Sequence, residues 1–145
     1  MTLRQWEEYG WLRRHKTDRK EIKNLLAIID RSLLDAAGNV SADARFAIAY
    51  NAALQLCTVL LHAAGYRSET SRKHERTIKT LPLILGKEKE PDAKYLDTCR
   101  TKRHIVEYDY VGSVTGEDVR ELVAYVQELR GDVIDWLNEY HPDLL

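Results

Sequence analysis

The chain has 145 residues, of which 44% are hydrophobic and 31% charged, and its formal net charge at pH 7 is −1. This is the composition of an ordinary soluble globular protein that can bury its own core, so residues 1–145 are predicted to form a single domain. Seven glycines and three prolines leave little turn material, which favours a few long helices over many short strands.

Hydrophobic spacing predicts three helices in the first half of the chain. A short helix over Leu3–His15 leads into a basic linker, and together they make up residues 1–17. A second helix over Asp18–Ala37 begins with a capping side chain and ends before a glycine. The third and longest helix covers Ser41–Ala64, and the alanines on its flanks indicate close contact on more than one side. It is therefore predicted to be the central helix of a bundle.

Three more helices are predicted in the second half. A short helix over Ser71–Gly86 starts at a serine cap and is shortened by a proline, and a longer one covers Pro91–Tyr110. The last helix, over Thr115–Pro142, starts at a near-capping box and stops at a proline. No segment alternates with period two, so no strand is predicted. The predicted fold is all-α, an up-and-down bundle of four to five main helices plus a short N-terminal helix, with 18–140 as the bundle core.

Cysteine usage and hydropathy point to a cytoplasmic protein. Cys57 and Cys99 lie on apolar stripes and belong to no CxxC motif, so both are predicted to be core thiols. No signal peptide pattern is present, which makes the reducing cytoplasm the expected compartment. The longest apolar stretch, 52–61, is interrupted by polar residues, and no membrane-spanning segment is predicted.

Charge is distributed unevenly along the chain. From Ser113 onward there are two arginines and eight acidic residues, a balance of −6, so the preceding 112 residues carry +5. One interpretation is a solvated acidic last helix. The other is a basic region ahead of it that attracts a polyanion.

The densest polar chemistry lies in the fifth predicted helix. Arg100, His104 and Tyr108 are spaced four apart and would share one helix face. An arginine can hold a phosphate with two hydrogen bonds, and a nearby histidine can move a proton near neutral pH. One interpretation of this helix face is that Arg100 and His104 are catalytic toward an RNA 2′-hydroxyl, without a metal ion. Lys102 and Arg103 would add positive charge for substrate binding.

The same helix has a structural interpretation. Asp97 precedes Arg100 by three positions, and Glu107 follows Arg103 by four. Such spacings are common for ion pairs on wet helix surfaces. In that case the protein is a non-catalytic interaction or scaffold module.

Three further side chains are candidates for substrate binding. His74 stands at the start of the short helix, where an N-terminus favours anions, and the alternative is a plain polar surface position. Asn51 lies mid-helix among alanines and needs a partner, for which Arg100 or Glu107 is predicted. Tyr108 could stack on bases, although aromatic residues at helical spacing more often belong to the core.

The remaining histidines give no metal-ligand pattern. His62 follows the apolar stripe of the central helix and is predicted to be a satisfied core or groove residue. His15 and His141, near the chain ends, are predicted to be exposed. None of the five histidines has the spacing of an HExxH motif, so no metal site and no cofactor are predicted.

Five features, in their order along the chain, resemble the HEPN family of helical domains (higher eukaryotes and prokaryotes nucleotide-binding). They are the central-helix run Asp43–Ala53, the turn Gly65–Arg67, His74, the block Arg100–His104 and the acidic end Glu107–Asp109. Each feature alone is weak, and the combination of the central helix with the arginine and histidine block is specific.

The resemblance implies a four- or five-helix bundle that often dimerises through its motif helices. Many members are metal-independent endoribonucleases, and many act as toxins paired with an antitoxin. Their motif is an arginine, a polar residue, and a histidine after four to six intervening residues; Arg100 and Thr101 match, and His104 follows after three. The expected function is RNA or nucleotide binding by a homodimer. Endoribonuclease activity is the more specific hypothesis. Branches that lack the motif act as binding modules, for example beside a nucleotidyltransferase.

Overall fold

The structure is a computed structural model that describes all 145 residues. Helices dominate it, and the strands form one small two-stranded sheet. The predicted all-α bundle is thereby confirmed. The helices are α1 (Leu3–Glu8), α2 (Arg19–Ala36), α3 (Ala42–Ala63), α4 (Lys73–Lys79), α5 (Leu81–Leu85), α6 (Glu90–Tyr108) and α7 (Gly116–Tyr140), and the strands are β1 (Leu12–Arg14) and β2 (Tyr66–Ser68).

Helix α3 is the centre of the bundle. Its first turn is capped by Ser41, whose hydroxyl oxygen accepts a hydrogen bond from the Ala44 N–H at 3.1 Å. Half of its 22 residues are buried, and it packs against α2, α6 and α7. Small alanines on several faces let these neighbours approach closely, as the sequence predicts.

The apolar character of α3 is high enough for a membrane helix by length and composition. In the fold, 67% of its most apolar window is buried. The core helix of a soluble protein has the same properties, so this helix is consistent with a soluble bundle.

Capping side chains fix where α2 and α7 begin. The Asp18 carboxylate accepts a hydrogen bond from the Glu21 N–H at 2.8 Å. At the start of α7, the Thr115 hydroxyl accepts from the Asp118 N–H at 3.1 Å, and the Asp118 carboxylate accepts from the Thr115 N–H at 2.9 Å. This reciprocal pair is a capping box, and the predicted starts of both helices are confirmed.

Polar contacts also fasten α6 to α7. The Tyr125 hydroxyl of α7 donates a hydrogen bond to Asp92 of α6 at 2.8 Å. Directly before α6, Lys89 Nζ lies 2.8 Å from an Asp132 oxygen of α7. These bonds hold α6 in place, and α6 carries the predicted catalytic residues.

The N-terminal segment differs from the prediction. The first helix ends at Glu8 rather than His15, because Gly10 takes a left-handed φ of 78° and turns the chain. The residues after it form β1, which runs antiparallel to β2, with Leu12 opposite Ser68. A strand of three residues is too short to show a period-two pattern, and its pairing is a long-range contact that local spacing does not reveal. A second hydrophobic cluster holds this pair on α3: Trp6, Leu12, Leu61 and Tyr66.

Two later helix predictions also need correction. The short helix is divided into α4 and α5, and α4 follows Arg72, which has a left-handed φ of 52°, so Ser71 is not its cap. The helix predicted over Pro91–Tyr110 corresponds to α6, which ends at Tyr108, and Tyr110 lies beyond it with 71% of its surface exposed. The chain leaves the helix there and turns at Gly112, whose φ is 78°. The buried residues of α6 are Ala93, Leu96 and Cys99.

Both cysteines are buried free thiols, as predicted. Burial raises the pKa of Cys57 to about 12 and that of Cys99 to about 11. Because the thiolate is the nucleophile, thiols with such high pKa values are poor nucleophiles at neutral pH. Cysteine chemistry is therefore not a candidate for the function.

The central role of α3 can be tested at Leu60, which is fully buried. Leu60→Ala should lower the free energy of unfolding by about 2–5 kcal/mol, because it removes buried methyl contacts and leaves a cavity. Leu34→Ala is the matched control: Leu34 is 76% exposed, and its loss should cost about 0.5 kcal/mol or less. Urea denaturation measures both, and equal losses would contradict the arrangement.

Candidate functional site

The two arginines of the predicted motif are each bound to a carboxylate of their own helix. Arg100 Nε lies 2.9 Å from Asp97 Oδ1, and the Arg103 guanidinium lies 3.3 Å from the Glu107 carboxylate. The ion pairs of the structural interpretation therefore form. His104 is exposed, with its ring centre 4.9 Å from that of Tyr108.

Arg103 also faces the central helix, where it meets a buried tyrosine. Its Cζ atom lies 5.8 Å from the ring centre of Tyr50, a residue with no exposed surface. On the same ring, the imidazole of His74 lies 6.4 Å away, centre to centre. Arg100 is close enough for its charge to act on the Tyr50 hydroxyl. We call Tyr50, His74, Arg100 and Arg103 the Tyr50 cluster.

Two buried polar atoms of the Tyr50 cluster make no hydrogen bond within the protein. They are the Tyr50 hydroxyl and the Arg103 Nε. A buried donor without a partner costs about 1–3 kcal/mol, so native proteins contain few of them. Two such groups in one cluster mark it as a place where an acceptor from outside would be stabilised.

Burial and charge shift the pKa values of this cluster. Burial raises the pKa of Tyr50 despite the opposing charges of Arg100 and Arg103, so its hydroxyl is a hydrogen-bond donor at neutral pH. His74 lies at the surface, yet partial burial of its ring and the positive charges of Arg103, Lys73 and Arg100 lower its pKa. His74 is therefore neutral at pH 7 and able to accept a proton.

A cavity of about 460 Å³ opens beside the Tyr50 cluster. It lies between α3, the two strands and α4, and His74 belongs to both the cavity lining and the cluster. Its lining is mostly polar, with three permanently charged cations and two carboxylates. The charged and titratable residues that line it are Arg13, His15, Glu21, His62, Arg67, Glu69, Lys73 and His74.

Within this cavity, two histidines share one glutamate. His15 Nε2 lies 2.8 Å and His62 Nδ1 2.7 Å from the same oxygen, Glu21 Oε1. The Thr17 hydroxyl donates to that oxygen at 2.9 Å. We call His15, Glu21 and His62 the histidine–glutamate triad. Burial opposes ionisation of Glu21, but the hydrogen bonds from His15, Thr17 and His62 lower its pKa overall.

Sequence reasoning missed this triad. The prediction that His15 is exposed is wrong, since only 20% of its side chain is exposed. The prediction that His62 is a satisfied groove residue is confirmed by its bond to Glu21 and by the lowering of its pKa, caused first by burial. No local spacing signals the triad, because its members come from three separate elements. The pairing of β1 with β2 is what carries His15 back to α3.

Two other predicted binding residues lie outside the cavity. The Lys102 ammonium lies 3.6 Å from Asp118 on α7. Asn51 is exposed and makes no hydrogen bond to Arg100 or Glu107, so the predicted partner is wrong. Its amide reaches solvent and needs no protein partner. Asn51 does share a helix face with Gln55, which lines the cavity.

Comparison of this chain with protein-family models, with curated proteins and with solved structures gives no match. The HEPN resemblance therefore depends on the sequence features quoted above, and the role of the site has to be argued from its geometry.

The electrostatics of the Tyr50 cluster predict a direction for the pKa of His74. It should lie below the ordinary value of 6.5, and Arg103→Ala should raise it by removing an opposing charge. Arg120→Ala, which removes a charge from exposed α7 surface, should leave it unchanged. NMR titration of the His74 ring protons measures each value.

The same shift has a consequence for stability. Because the unfolded histidine binds its proton at the ordinary pKa, the stability of the folded state falls as pH drops below 6.5 and is unaffected above it. His74→Gln should flatten that part of the pH profile of the melting temperature. A wild-type His74 pKa above 6.5 would contradict the arrangement of charges.

Proposed function

We propose that this protein is a HEPN-like domain that binds RNA or a nucleotide, holding a phosphate group at the Tyr50 cluster. The observation that carries the proposal is the pair of unpartnered donors, the Tyr50 hydroxyl and the Nε of the Arg103 guanidinium, with the charge of Arg100 acting on the same hydroxyl. Phosphate oxygens are strong acceptors, and arginine is the side chain best suited to bind them. A phosphate bound at this cluster would supply acceptor oxygens where the protein itself supplies none.

The surroundings support an extended anionic ligand rather than an isolated ion. Lys73, Arg67 and Arg13 line the same cavity as His74. Several cations in one cavity suit the repeated phosphates of a nucleic acid. The exposed amide of Asn51 and the polar side chain of Gln55 lie along the same face of α3 and offer hydrogen bonds to bases.

A more specific form of the proposal is that the protein cleaves RNA without a metal ion. A neutral histidine takes the proton of a 2′-hydroxyl, whose oxygen attacks the adjacent phosphorus. The bond to the 5′-oxygen breaks, that oxygen takes a proton from solvent, and a 2′,3′-cyclic phosphate remains. His74 suits the basic role better than His104, because its ring lies 6.4 Å from that of Tyr50 and its pKa is lowered by partial burial and by the charges of Arg103 and Arg100. The role predicted for His104 remains a prediction, to be tested beside it.

RNA binding should depend on Arg103. Arg103→Ala removes a charged donor next to the proposed phosphate and should weaken binding of mixed-sequence single-stranded RNA by about 10- to 100-fold. Arg120→Ala removes the same charge from the surface of α7, where Arg120 pairs with Glu117, and should change binding by less than about threefold. Fluorescence anisotropy in a buffer with a metal chelator measures both.

The same RNA reports on cleavage in the same buffer. If cleavage occurs, His74→Ala should slow it by about 100-fold or more. If cleavage is lost in His104→Ala and not in His74→Ala, the catalytic residues are Arg100 and His104 instead. The proposal would be refuted if the wild-type protein neither binds nor cleaves RNA. It would also be refuted if Arg103→Ala and Arg120→Ala weaken RNA binding equally.

A second candidate function is supported by exposed apolar side chains at the end of α6. Tyr108, Tyr110 and Val111 are 69%, 71% and 95% exposed and stand close together in sequence. Clustered exposed apolar residues are typical of protein interfaces. We propose that this end of α6 contacts a second copy of the chain, with an antitoxin or a nucleotidyltransferase as the other partner classes.

The cytoplasm is the proposed compartment of the protein.

Val111 tests the interface. Val111→Asp places a charge at the centre of the exposed group and should convert a dimer into a monomer, as sedimentation equilibrium would detect. Val40→Asp is the matched control, since Val40 is 54% exposed after α2 and should leave the assembly unchanged. A wild-type protein that is monomeric at all concentrations would remove support for self-association.

A further inference from the structure

The histidine–glutamate triad brings together three side chains of the kinds that bind metal ions. Its three donor atoms, His15 Nε2, Glu21 Oε1 and His62 Nδ1, all lie within 4.8 Å of one another. We propose that the triad binds a divalent transition-metal ion, with zinc as the ion that tests it. This proposal is independent of the phosphate site at the Tyr50 cluster, which requires no metal.

The donor set suits such an ion. Two imidazole nitrogens and one carboxylate oxygen are the protein ligands of many zinc sites that keep a position open. Imidazole also favours the later first-row metals over magnesium and calcium, which prefer oxygen donors alone. His62 and Glu21 are poised for this role, because burial keeps the imidazole neutral and hydrogen bonds keep the carboxylate ionised. Both are the protonation states that a metal requires.

The spacing of the donors needs only a small adjustment. In the structure, Glu21 Oε1 lies 2.8 Å from His15 Nε2 and 2.7 Å from His62 Nδ1, which are hydrogen-bond distances. Ligands of a tetrahedral zinc ion lie about 3.3 Å apart, given bonds of about 2.0–2.1 Å. Metal binding would therefore lengthen each of these two separations by about half an ångström. It would also shift the ring proton of each histidine to its other nitrogen.

The backbone already holds the three donors in place. His62 lies in the last turn of α3, and Glu21 in the first turn of α2. The His15 N–H donates to the Gly65 oxygen at 2.9 Å, which extends the strand pairing next to the triad. Thr17 supports the carboxylate from outside by donating to Glu21 Oε1. Such supporting hydrogen bonds orient metal ligands and strengthen binding.

The open coordination position would face the cavity, since all three ligands line it. The cations that share the cavity oppose a metal ion, but Arg13 is paired with Glu69 at 2.9 Å. Arg67 and Lys73 remain beside the cavity. Their charge favours an anionic oxygen ligand, such as a phosphate or carboxylate, in the open position.

The test is a titration of metal-free protein with zinc alone, in which isothermal titration calorimetry measures the binding. Wild type should bind one zinc ion per chain with a Kd of about 1 µM or lower. His62→Ala should weaken binding by about 100-fold or more. His104→Ala removes an exposed histidine on α6 and should bind zinc like wild type.

Two further measurements guard against a variant that fails to fold. Glu21→Gln keeps the size and hydrogen-bonding capacity of the side chain but removes its charge, and should weaken zinc binding by at least about tenfold with little change in melting temperature. Cobalt should give the visible absorption of a tetrahedral site in wild type and not in His15→Ala. Wild type that binds no zinc, or double variant His15→Ala/His62→Ala that binds it equally well, would overturn the proposal. RNA binding through Arg103 would stand in either case.

Discussion

The burial of α3 is the constraint on which the rest of the structure depends. The helix is so apolar that α2, α6 and α7 must cover it, and its alanines let them approach closely. One stripe of the helix remains polar, with Gln55, Thr58 and His62. His62 bonds to Glu21 at the start of α2, and Thr58 donates to the Leu54 oxygen of its own helix. Short elements and the cavity lie over the rest of the stripe. The position of the candidate site follows from the composition of the central helix.

The same helix sets the chemistry at both ends of the site. Tyr50 projects from α3 toward Arg100 and Arg103 on α6, and His62 projects toward Glu21 on α2. The first group contains donors that lack partners, whereas every triad member is already hydrogen-bonded. The Tyr50 cluster therefore favours an acceptor from outside, such as a phosphate. The histidine–glutamate triad favours a cation, which would replace the existing hydrogen bonds. His74 lies between these two regions.

The uneven charge of the sequence is partly neutralised by the fold. Acidic side chains of α7 meet basic ones of earlier helices: Asp118 lies 3.6 Å from Lys102, and Asp132 lies 2.8 Å from Lys89. The last helix is thus both a solvated acidic surface and a partner for the basic half. Arg67 and Lys73, which α7 does not reach, line the cavity, where their charge remains available to a ligand.

The sequence alone determined the bundle, its central helix, the starts of α2 and α7 and the burial of both cysteines, because these depend on local spacing and composition. It also singled out Arg100, Arg103 and His74. Only the tertiary structure decided which residues meet. The pairing of β1 with β2 brought His15 beside His62, and the packing of α6 on α3 placed Arg103 over Tyr50 while His104 stayed at the surface. Contacts between residues distant in sequence leave no periodic signal in a single chain, so the composition of the site could not be predicted from it.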